Sequence, residues 1–170
     1  MPFASIALMD WKAFENAWSI AATTAIVSTV RANPDERFYA AAFHLFYSDR
    51  TKMLPVALAL NTEAHVANAD LTSAYGSTRW APPEGRWDVL DGASESMCEH
   101  YAELSARTAR DEWEAVEREH DAAIARVARR LTRAARERSD DFATIVLAET
   151  FVVAILDGQR SPEEYDELVR

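Results

Sequence analysis

The chain has 170 residues, 49% of them hydrophobic and 10% aromatic, and its 28 acidic against 18 basic side chains give a net charge of −10. That apolar content excludes the disordered class, which cannot bury enough surface to offset its chain entropy, and the length suits one domain spanning residues 1–170. The acidic balance speaks against nucleic acid and against an anionic membrane, because phosphate contacts need concentrated Lys and Arg; it favours a protein partner with a basic surface.

A single cysteine, Cys98, can form neither an intramolecular disulfide nor a thiolate zinc site, which points to a reducing cytoplasm. The opening residues lack the basic n-region of a secretory signal. No stretch supplies the about 20 largely apolar residues of a membrane span.

Trp11, Phe14, Trp18, Ala21, Ala22 and Ala25 recur at three- and four-residue intervals and predict a helix over 10–32. Asp10 is its N-cap, and Asn33-Pro34 stops it. From Arg37 to Tyr47 both alternating faces are apolar, with Phe38, Ala40, Ala42, His44 and Phe46 on one and Tyr39, Ala41, Phe43, Leu45 and Tyr47 on the other. A strand covered on both faces has this composition. Residues 48–52 carry turn chemistry, so Met53–Leu60 is expected as a second strand of a hairpin, near a sheet edge because Pro55 cannot donate to a ladder. Asn61 and Thr62 are both good N-caps for a short helix ending near Leu71.

Residues 72–91 hold Trp80, Trp87, two glycines and two prolines, the composition of an ordered loop or of short irregular strands whose indoles anchor it to the body. Helix formers then dominate 93–138, as one helix or as two joined near Ala109, with a stripe of Trp113, Val116, His120, Ile124, Val127 and Leu131. Acidic residues crowd Asp111–Asp121 and six arginines crowd Arg126–Arg138, an order that complements the helix dipole. Phe142–Leu147 reads as a buried strand, and 150–156 as either strand or helix. Ser161-Pro162-Glu163-Glu164 is a strong helix start. The expected fold class is α+β, a small mainly antiparallel sheet packed against several helices, including one or two long helices in the C-terminal half.

Few residues carry recognisable chemistry. Glu117 and His120 have the Glu-x-x-His spacing of di-metal bundles, but those need two such motifs and further glutamates, so no metal is expected and a surface helix of paired charges is the preferred reading. Cys98 and His100 stand two residues apart, a separation at which helical side chains do not face each other. The arginine run alternates with Val127, Ala128, Leu131 and Ala135 and lacks the aromatic interleaving of single-strand binders.

Asp35-Glu36-Arg37-Phe38-Tyr39-Ala40, then Asn61-Thr62-Glu63, then Arg79-Trp80 follow one another in an order and spacing that resembles the bacterial domain of unknown function 4303 family. The resemblance covers residues 10–90; Glu84-Gly85-Arg86-Trp87 stands where a tighter Trp motif is expected, and the C-terminal part has no match. It implies an opening helix ended by a Pro-Asp-Glu turn, an aromatic strand, a strand ending in Asn-Thr-Glu and no transferable enzymatic activity; no cofactor is expected. By analogy of context with small acidic proteins near bacterial contact-dependent toxins, it implies an immunity or other binding role.

The candidate binding residues are Glu36, Tyr39, His44, Asn61, Glu63, Arg79, Trp80 and Trp87. Each also has a structural account: Asn61 and Thr62 as caps, Glu63 in a first turn, the tryptophans at core edges, Glu36 paired with Arg79. The leading expectation is a non-catalytic protein-binding domain of the immunity type. The alternatives are an enzyme or small-ligand binder with a cleft around Tyr39, His44, Asn61, Arg79 and Trp80, and a homo-oligomer formed through the 93–138 helices.

Overall fold

The computed structural model describes residues 9–45, 53–68, 88–90, 100–102, 104, 113–157 and 161–169. Helix α1 (Trp11–Ala32) opens the fold. Asp10 caps it through Oδ1, which accepts the Ala13 N–H at 2.9 Å, and Asn33 closes it by donating its side-chain amide to the Thr29 carbonyl at 2.8 Å. Both ends lie where the local signals put them, because a cap is chemistry between neighbours in sequence.

Four strands, β1 (Phe38–Leu45), β2 (Ala57–Thr62), β3 (Asp88–Leu90) and β4 (Val152–Asp157), form one sheet in the order β3-β2-β1-β4. The β1–β2 and β2–β3 pairs are antiparallel and β1–β4 is parallel. This is the α+β, mainly antiparallel sheet expected. β2 is internal, so Pro55 does not mark an edge; it lies in the unpaired lead-in 53–56, where its missing N–H costs the ladder nothing. The expected turn at 48–52 lies outside the described residues.

The aromatic strand does not alternate strictly. The β1–β2 register shifts between Phe38 and Ala40, and the bulge puts Phe38 with Ala41 and Phe43 in the main core while Tyr39 and Ala40 join a second cluster with Ala148, Val66 and Val152. On the main side, α1 and α3 (Trp113–Arg136) pack on the sheet. Trp18 meets Phe43 edge-on at 5.7 Å, and Phe14 meets Tyr101 at 5.8 Å, the T-shaped geometry that aromatic quadrupoles prefer. The predicted stripe of α3 faces this core, with Trp113, His120, Ile124, Val127 and Leu131 buried.

His100, Tyr101, Ala102 and Leu104 are helical, and whether they join α3 as one helix falls on residues outside the description. α3 ends in a Schellman motif: the Ser139 N–H reaches the Ala134 carbonyl at 3.0 Å and the Arg138 N–H the Ala135 carbonyl at 3.2 Å. Arg138 takes the left-handed position of that motif, at φ 51°.

The segment expected as a strand at 142–147 is a series of turns in which Phe142 and Ile145 are nevertheless buried. The strand comes later, at β4, which settles 150–156 as strand apart from its first two residues. The short helices are α2 (Glu63–Asn68), after β2, and α4 (Pro162–Leu168), whose capping box has the Ser161 N–H donating to Glu164 Oε2 at 2.6 Å and the Glu164 N–H donating to Ser161 Oγ at 3.3 Å.

Candidate functional site

The structure brings together only part of the expected cleft. Asn61 is buried, donates its amide to the Tyr39 hydroxyl at 2.8 Å and accepts the Thr62 N–H at 2.9 Å. It is therefore not the cap of α2. That role belongs to Thr62, whose Oγ1 accepts the His65 N–H at 3.3 Å. Glu63 pairs with Arg37 at 3.6 Å on the exposed side, and its N–H bonds the Arg37 carbonyl. His44 stands five residues further along β1, paired with Ala57 and Leu156, roughly 16 Å from Tyr39 at the rise of a strand. Glu36 carries a buried Oε2 with no hydrogen-bond partner among the described residues. Arg79, Trp80 and Trp87 lie outside the described residues, and with them the expected Glu36–Arg79 pair.

A second constellation escapes sequence reasoning. The Tyr101 hydroxyl lies 2.8 Å from His120 Nε2, and His120 Nδ1 lies 3.1 Å from Asp121 Oδ1. The surface helix expected at 117–120 is thus corrected: His120 and Asp121 are 3% and 5% exposed. Burial pushes the Tyr101 phenol well above its ordinary value, against the opposing pull of the Val56 amide and the Trp18 indole. A carboxylate only accepts, so in the neutral imidazole Nδ1–H donates to Asp121 and Nε2 accepts from the Tyr101 O–H. Phe14 packs on both the Tyr101 and His120 rings. The triad has the connectivity of an acid–base relay, but it is sealed in the core and works as a polar strut between α3 and Tyr101. No signal in the sequence links Tyr101 to His120, which stands 19 positions later and meets it only through the fold.

An open concavity with both apolar and charged walls lies at the outer strand of the sheet. α3 contributes Ala125, Ala128, Arg129, Thr132, Arg133 and Arg136, β4 contributes Val152–Ile155, and α4 contributes Tyr165 and Asp166, around about 630 Å³. Thr132 Oγ1 accepts the Val153 N–H at 2.9 Å, fastening the helix to the strand edge. Arg129 donates to Asp166 at 2.6 Å and closes one end. The basic block was legible as a block; which arginines are tied and which stand at a groove was not, because Glu15 and Asp166 are distant in sequence.

Arg126 and Arg130 make contacts both to α1 and within α3. Arg126 Nε donates to Glu15 Oε1 at 2.7 Å and its Nη2 to Glu119 at 2.8 Å, while Arg130 reaches Glu15 Oε2 at 3.2 Å. Burial of the Arg126 guanidinium opposes its charge, and the bonds to Glu119 and Glu15 outweigh that and hold it above its ordinary value. Among the described residues no group of three or more His, Cys, Asp or Glu side chains is placed to hold a metal ion, and no helix is long and apolar enough to cross a membrane.

No family model matches the chain, and neither a curated protein nor a solved structure matches it.

Proposed function

We propose that the chain is a non-catalytic protein-binding domain of the immunity type, which meets a partner with a basic surface in the reducing cytoplasm. The observation that carries this reading is the internal use of its own cations. Arg126, Arg129 and Arg130, half of the six arginines of the concentrated basic block, are held by Glu15, Glu119 and Asp166, which weakens that block as a competing basic patch on a chain of net charge −10. A long-range field of one sign speeds encounter with a partner of the other sign and makes that encounter salt-dependent.

The turn segment after α3 offers a contact point of matching character. Val146 is 75% exposed there, and Asp140, Asp141 and Glu149 are exposed on the same segment. An apolar contact within a charged rim is the usual anatomy of a transient interface. Arg31 donates to Thr144 at 2.6 Å and ties this segment to α1, so it is held in place before a partner arrives.

The test is surface plasmon resonance against the purified product of an adjacent gene that carries a basic face. The association rate is expected to fall at least tenfold as salt rises from 0.01 to 0.15 M, where the Debye length drops from about 30 to about 8 Å. Asp140→Lys with Asp141→Lys is expected to slow association further. A rate that ignores both salt and charge reversal would falsify the reading.

A further inference from the structure

We infer that the groove between α3, β4 and α4 is a binding site for an aliphatic carboxylate. Its floor is apolar, built from Ala125, Ala128, Val152, Ala154, Ile155 and Tyr165, and its volume of about 630 Å³ falls within the range of small-molecule pockets. The charged wall is supplied by α3. Arg129, Arg133 and Arg136 are spaced by four and then three residues, which puts their side chains along one face of the helix.

These three arginines are not equivalent. Arg129 is held by Asp166, whereas Arg133 and Arg136 are exposed and have no carboxylate partner among the described residues. Glu137 also lines the groove, so the rim is basic by a single charge and suits a monoanion. A guanidinium presents a planar fork that matches a carboxylate with two parallel hydrogen bonds.

An extended peptide added to the edge of β4 fits less well. Near the start of that edge the Val153 N–H is already taken by Thr132, whose hydroxyl also lies 3.4 Å from the Val153 carbonyl. Strand addition would have to displace the bond that holds α3 to the sheet. A carboxylate head at Arg133 and Arg136 with its chain over the alanine and valine floor leaves that bond intact.

Isothermal titration with octanoate, decanoate and dodecanoate below their micelle concentrations tests the site. Each pair of added methylenes is expected to tighten binding roughly 15-fold until the groove is full, which is ~0.8 kcal/mol per methylene. Arg133→Gln with Arg136→Gln, both on the exposed rim, is expected to weaken decanoate at least tenfold while leaving decanol unchanged. Amide chemical-shift changes with decanoate should fall on residues 125–136, 152–155 and 165–166. Absence of decanoate binding, equal affinity for decyltrimethylammonium, or a Kd indifferent to the double substitution would each overturn the inference.

Discussion

At the scale of single residues, the hydrogen bonds with the largest consequence are those made inside the core. Tyr101, His120 and Asp121 are consecutive members of one buried chain of hydrogen bonds, and removing one member strands the others in a medium where they cannot find water. Tyr101→Phe is expected to cost about 1–2 kcal/mol at pH 7. The phenol's pKa is raised in the folded state, so its contribution is fully present below the unfolded value near ~10 and is lost as pH rises above it. Urea denaturation at pH 7, 10 and 11 checks this: the gap between wild type and Tyr101→Phe should narrow above pH 10 by up to about 1.4 kcal/mol per pH unit. A gap constant with pH would mean that the folded phenol ionises normally. Asp10 and Ser161 were readable as caps because their partners lie three residues away, and Asn33-Pro34 as a stop, though not the Asn33 side-chain bond to Thr29 that closes the helix. Tyr39 was readable as an aromatic strand residue but not as the bulge that points it at Asn61, since a register is decided by the neighbouring strand.

At the scale of elements, helix periodicity carried most of the fold, and short apolar runs did not. α1 and α3 lie on their predicted stretches because many residues vote for one period, and α4 starts where the Ser161-Pro162 signal puts it. Phe142 and Ile145 are buried from a turn segment, with the Phe142 and Ala143 N–H groups both reaching the Ser139 carbonyl at 2.8 Å, so burial without ladder pairing imitated a strand. The end of α3 falls within two residues of the expected bound at Arg138, without the usual glycine to mark it. Its left-handed residue is Arg138, where glycine is the common signal. Arg138→Gly should stabilise the chain by about 0.5–1 kcal/mol by removing the Cβ clash at positive φ, read as a raised urea midpoint with an unchanged slope; a loss of stability would show that the arginine side chain holds the turn. The α1–α3 contact offers a second measure. Glu15, 12% exposed, accepts from both Arg126 and Arg130, and Glu15→Ala should cost about 1–2 kcal/mol. Asp166→Ala breaks a pair that is about half exposed on both sides and should change stability by no more than ~0.5 kcal/mol. Equal costs in the two variants would contradict the difference in burial.

At the scale of the whole molecule, the charge excess and the local pairs respond to salt in opposite ways, and their geometry decides which dominates. A chain of this length packs to a radius of gyration near ~15 Å. At 0.01 M salt the Debye length, about 30 Å, exceeds that radius, so every carboxylate feels the ten-charge excess and the folded state is strained by its own repulsion. At 0.15 M the length shrinks to about 8 Å. Repulsion across the molecule is then screened, while the arginine pairs with Glu15 and Glu119, at 2.7–3.2 Å and partly buried, keep most of their attraction. Added sodium chloride should therefore raise the thermal midpoint, by roughly 2–4 °C for each kcal/mol of repulsion removed. Glu15→Ala should show the same upward trend from a lower starting value, because it removes a local clamp and hardly alters the net charge. Scanning calorimetry at 0.01, 0.05 and 0.15 M sodium chloride reads both. A midpoint that falls with salt in the wild type but not in Glu15→Ala would place the stability in the arginine cluster, and the acidic surface would then be too dilute a field to recruit a basic partner at a distance.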